Sequence, residues 1–116
     1  MNQRKSLRQP LQIDLSKHLF TADEKPVRCL GVDASSEGIG IVGFQEIPQG
    51  SQLVLVINNK LISLEVIWCR PDTVRKGIYH VGLERTDDSV DIVAELETAR
   101  LIKKVQPFQF PSVGKK

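Results

Sequence analysis

Aromatic side chains are scarce in this chain: one Trp, one Tyr and four Phe among 116 residues. A small barrel that binds single-stranded nucleic acid needs aromatic platforms gathered on neighbouring strands, and none cluster here, so no DNA or RNA partner is expected. Charge of one sign is lacking too: 16 basic against 14 acidic side chains leave a formal +2, far from the balance of a nucleic-acid coat. The two cysteines, Cys29 and Cys69, form no CxxC and have no histidine at metal-ligand spacing, so no metal and no resident cofactor are expected. Buried free thiols are the better reading of this pair, since a disulfide would need their two strands to be neighbours. No apolar run approaches the ~20 residues that cross a bilayer, which excludes a membrane-inserted helix. With no signal-peptide pattern, a cytoplasmic location is expected. GxSxG, HExxH and the phosphate-binding GxxxxGK[ST] are all missing, and an enzyme is not expected.

What is present is a 41% hydrophobic content in a length suited to one domain. Alternation of apolar and polar residues in "LQIDL" marks a first strand, and the polar stretch "SKHLFTADEKP" reads as a loop. "VRCLGVDAS", "GIGIVGF", "LVLVI", "LISLEVIWCR" and "IYHVGLE" follow as five more strands, with "IPQGSQ", "NNK" and "PDTVRKG" as turns. Ile62, Leu64, Val66 and Trp68 fall on one face of the fifth, which makes Trp68 a core residue; a barrel-rim indole is the competing reading. After Asp88 the period changes, and Ile92, Leu96, Ala99 and Ile102 share a helical stripe. The expected fold is mostly β: a small six-stranded antiparallel β-barrel with one C-terminal α-helix over an open end. Residues 1–10 form an N-terminal arm, residues 11–104 the barrel and helix, and residues 105–116 a tail carrying Phe108 and Phe110.

Two motifs stand out against this background. Arg4 and Arg8 give RxxxR just before the first strand, and Asp33, Ser35 and Gly38 give DxSxxG at the turn between the second and third. By residue frequency RxxxR arises in roughly a quarter of chains this long and DxSxxG in about one in twenty, so the ordered pair is much rarer than either. Taken singly, each has a plain structural explanation. Arg4, Lys5 and Arg8 suit a solvated terminus, and Asp33, Ser35 and Gly38 suit a hairpin turn that hydrogen-bonds its own backbone.

Together, and on this strand pattern, the motifs resemble those of the PilZ domain family, whose members include receptors for the bacterial second messenger cyclic di-GMP. The resemblance runs from Arg4 to about Lys103. It implies that Arg4 and Arg8 contact phosphate and guanine, that Asp33 and Ser35 hydrogen-bond the base, and that Gly38 permits close backbone approach, with Lys5, Gly40 and Trp68 as secondary contacts. The chemistry suits those residue types. A guanidinium bonds phosphate or the guanine O6/N7 edge bidentately and stacks on purine, and a carboxylate accepts from the guanine N1 and N2 hydrogens. The implied role is a sensor that binds cyclic di-GMP, orders its N-terminal arm and signals to an effector protein in motility, adhesion or biofilm control. The alternative is a protein-interaction module of the same fold that does not use nucleotide. One departure from the family pattern is "EGIG" where many relatives have adjacent glycines, with Glu37 adding a negative charge beside the site.

Overall fold

The computed structural model describes residues 8–102. Arg4 and Lys5 of the arm, and Phe108 and Phe110 of the tail, lie outside the described residues. The elements in chain order are β1 (Gln9–Asp14), β2 (Leu19–Thr21), β3 (Cys29–Ala34), β4 (Gly38–Gly43), β5 (Gln52–Ile57), β6 (Lys60–Pro71), β7 (Tyr79–Arg85) and α1 (Ile92–Thr98).

The protein is mostly β, with one short helix among the described residues. The strands form one antiparallel sheet ordered β1-β3-β4-β7-β6-β5-β2, which curls into a half-barrel. The expectation of six strands closed into a barrel is corrected in two respects. β2 is a seventh strand inside "SKHLFTADEKP", where three residues are too few for a readable alternation. β1 and β2 are the edges of the sheet, so the ladder stays open there. The segments flanking β2, 15–18 and 22–28, link the two edges instead: Leu15 N donates to Cys29 O, Val27 N donates to Leu19 O, and Leu15, Leu19 and Val27 are buried.

The concave face holds the core. Ile39 and Ile41 of β4, Leu53, Leu55 and Ile57 of β5, Ile62, Leu64 and Val66 of β6, and Val81 and Leu83 of β7 are all buried there. These are the period-two positions of each strand, and the interior is almost wholly aliphatic. α1 closes the concave side through the fully buried Ile92 and Leu96. Asp91 caps it by accepting from Ala94 N. The helical stripe expected to reach Ile102 is shorter than its periodicity, because Arg100 takes a φ of +61° and the chain turns out of the helix. Asn58 and Asn59 (φ 54° and 61°) form the tight β5–β6 turn, and the Asn58 amide donates to the Glu95 carbonyl and carboxylate while Lys60 Nζ pairs with that carboxylate. α1 is thereby tied to this hairpin.

Two bulges decide what the convex face carries. In β3 the register shifts between Gly31 and Asp33, leaving Val32 extra, and in β6 it shifts between Val66 and Trp68, leaving Ile67 extra. The second overturns the core placement of Trp68. An extra residue reverses the alternation, so Trp68 lies opposite Gly82 on the outer face and is only half-buried. Cys29 and Cys69 are free, as their strands are separated by β4 and β7. Burial pushes the Cys29 thiol up to about 12. No helix among the described residues is long and apolar enough to cross a membrane.

Candidate functional site

The turn Ser35-Ser36-Glu37-Gly38 joins β3 to β4 and is closed by Ser35 N donating to Gly38 O at 2.9 Å. Ser35 is buried, the one polar residue so enclosed among those described, and its hydroxyl accepts from Glu37 N at 3.2 Å. Gly38 has no positive φ. Its need is for close approach: a Cβ there would stand 2.2 Å from the carbonyl oxygen of Leu83 on β7.

Arg8 comes to this turn from the start of β1. Its Nη1 donates to Ser35 Oγ at 3.3 Å and its Nη2 to Asp33 Oδ1 at 2.5 Å. Pro10, two residues on, lies opposite Asp33 in the β1–β3 ladder, which fixes the reach of Arg8. The second arginine of RxxxR and the first two residues of DxSxxG thus meet in space across more than 20 positions of sequence. Both charged side chains remain about two-fifths exposed, so the ion pair itself contributes only ~0–1 kcal/mol to stability.

Asp33 begins a row that crosses four strands: Asp33 faces Gly40, Gly40 faces Gly82, and Gly82 faces Trp68. All four sit on the convex face. The two central positions have no side chain, and the outer two lean over them. A Cβ on Gly40 would be 2.6 Å from Asp33 Oδ1, and one on Gly82 would be 2.3 Å from Trp68 Nε1. With strands about 4.8 Å apart, carboxylate and indole are brought over adjacent strands on a floor of bare backbone. Arg70, the next outward residue of β6, places its guanidinium 4.8 Å from the indole centroid. His80 lies opposite Arg70 and bonds Asp72 at 2.7 Å. That bond, with those from the Arg75 backbone and side chain and the Val74 amide, holds the Asp72 carboxyl well below the usual carboxylate range.

The arrangement is an open shelf, and it offers two guanidiniums, one carboxylate, one enclosed hydroxyl, an indole and a glycine floor. A flat, polar, anionic molecule suits it: the arginines meet negative charge, Asp33 meets ring N–H groups, and the floor lets a ring approach the sheet. One limit on charge comes from the next row, where Gly38, Glu84 and Glu65 face one another in turn and the two carboxylates are exposed. An anion is favoured on the Arg8 side of the shelf. A concavity of about 430 Å³ lies elsewhere, lined by Phe20, Thr21, Ala22, Glu24, Val54, Val56 and Leu61, and no motif residue borders it. Among the described residues no group of three or more His, Cys, Asp or Glu could hold a metal ion.

Of the residues singled out from sequence, Arg8, Asp33 and Ser35 are brought into contact, Gly38 and Gly40 lie directly beside them, and Trp68 shares the face. Sequence reasoning missed Gly82, Arg70 and Arg85. Arg85 ends β7 and binds the turn from behind: its N donates to Glu37 O at 2.9 Å and its Nη1 to Ser36 O at 3.2 Å. The only sequence signal for Gly82 is a glycine inside the alternating strand "IYHVGLE", which marks a close approach. No protein-family model, curated protein or solved structure matches the chain.

Proposed function

We propose that this chain is a PilZ-type receptor that binds cyclic di-GMP on the convex face, around Arg8, Asp33 and Ser35. The observation that carries the reading is the contact of Arg8 with both Asp33 and Ser35, which unites two motifs that are otherwise unrelated in sequence. On binding, Arg8 turns from Asp33 to a phosphate or to the guanine O6/N7 edge, and Asp33 accepts from the guanine N1 and N2 hydrogens. The exposed ion pair given up is worth no more than ~1 kcal/mol, so releasing Arg8 from Asp33 costs the protein little. Gly40 leaves room for the base, Trp68 and Arg70 add stacking surface and a second cation, and Arg4 brings a further guanidinium from the arm. Closure of the arm over the nucleotide then presents an altered surface to an effector protein.

A second reading is a protein-interaction module that uses no nucleotide. It is favoured by Leu30 and Phe44, which are 47% and 61% exposed at the other end of β3 and β4, Phe44 beneath the Arg28 guanidinium. Calorimetric titration with cyclic di-GMP separates the two. Saturable binding by the parent chain, weakened at least tenfold in Arg8→Ala and Asp33→Ala and absent with GTP, is the expected result. No heat and no thermal shift from a folded, nucleotide-free protein would leave the interaction module.

A further inference from the structure

We infer that Arg85 is a positioning residue for the Asp33–Gly38 turn, and that through it the first turn of α1 is coupled to occupancy of the site; this rests on the cyclic di-GMP reading above. The coupling element is a single peptide unit. The Ser36 carbonyl and the Glu37 N–H belong to one planar group, so neither moves without the other. On the ligand side, the Glu37 N–H donates to Ser35 Oγ, the hydroxyl that also receives Arg8 Nη1. On the opposite side, the Ser36 carbonyl accepts from Arg85 Nη1 at 3.2 Å and from Ile92 N at 2.9 Å.

Ile92 is the first residue of α1, and its N–H is one of those that a helix cannot satisfy internally. Arg85 Nη1 also donates to Val90 O at 2.6 Å, which fixes the link between β7 and the helix. One guanidinium therefore clamps the turn and the lead-in to α1 together. Asn58 and Lys60 bond Glu95, three residues on from Ile92, so α1 is held to the β5–β6 hairpin while tilting of the Ser36–Glu37 peptide acts directly on the Ile92 amide. A ligand that takes Arg8 from Ser35, or adds its own donor to Oγ, changes the pull on that peptide and so the protection of the Ile92 amide.

The test is cyclic di-GMP titration of the parent chain, Arg85→Ala and Arg85→Lys, with amide hydrogen exchange followed at Ile92. Arg85→Ala removes the guanidinium but keeps the backbone bond from residue 85 to Glu37 O, so strand pairing is retained. The expected result is affinity about tenfold weaker in Arg85→Ala, with Arg85→Lys in between because an ammonium donates to one carbonyl well and bridges two poorly. Ligand is also expected to change Ile92 exchange in the parent and not in Arg85→Ala. Parent-like affinity in Arg85→Ala, or ligand binding with no change at Ile92 in the parent, would overturn the inference while leaving the proposed function standing. Should Arg85→Ala not fold, Arg85→Lys and the Ile92 exchange of the parent decide it. Absence of binding by the parent would instead remove the proposed function, and the coupling with it.

Discussion

The two faces of β4 and β7 are built from opposite materials. Inward, the strands present Ile39, Ile41, Val81 and Leu83, all at most 2% exposed; outward, the row at their centre is Gly40 beside Gly82. A glycine in a strand interior costs about 0.5–1 kcal/mol relative to alanine, and two adjacent ones forgo cross-strand side-chain pairing as well. Stability alone would favour β-branched residues at both. The convex face keeps bare backbone because Asp33 and Trp68 lie over it, which suits recognition of a flat molecule and contributes little to folding. Within one pair of strands, presence of side chains builds the fold and their absence builds the shelf.

Exchanging the two kinds of position should therefore produce effects of different kind. The largest is expected inside: Ile41→Ala should lower stability by about 3 kcal/mol and Tm by about 15 °C in a circular-dichroism melt, with the convex face left intact. Gly82→Ala should cost only about 1 kcal/mol, but its Cβ displaces the indole, and the one Trp of the chain should shift its fluorescence emission to the red. An unchanged emission spectrum in that variant would show that Trp68 does not lie over Gly82. The smallest effect tests a region belonging to neither face. Bonds from Lys60 and then Asn58 hold the Glu95 carboxyl below its usual value. A depressed folded value gives stability that is present above the unfolded value and lost as the pH falls through the folded one. Glu95→Gln should thus lower stability slightly at pH 7, where the contribution is fully present, and flatten the further loss below about pH 4, so that variant and parent converge in acid.

Much of the fold was legible because the sheet is amphipathic and its strands are punctuated by Pro, Gly and Asn. Six of the seven strands carry period-two alternation or a continuous apolar run, and Asn58-Asn59 is a turn by composition alone. β2 was hidden because three residues cannot show a period. Alternation puts Trp68 on the inner face for a sharper reason: Ile67 is an extra residue, and a period counted through a bulge inverts every position after it. The motif residues were legible only as a resemblance, since RxxxR and DxSxxG have plain structural explanations when taken singly and it is their order along the chain on which the proposed reading rests. Gly82, Arg70 and Arg85 were not, because each acquires its meaning from register. Gly82 matters through what stands opposite it on β4 and β6, and Arg85 through a hairpin almost 50 positions away.

The position of α1 in the chain also bears on how the molecule is made. Every strand whose core it covers comes earlier in the sequence, so on a ribosome the concave aliphatic surface is complete before Ile92 and Leu96 are synthesised. Three of the six strand pairings, β1–β3, β4–β7 and β2–β5, join strands that are not consecutive in the chain, and such pairings slow folding relative to local hairpins. Until the helix docks, the nascent sheet presents an uncovered apolar trough, and this interval is where association with other chains or with a chaperone competes with folding.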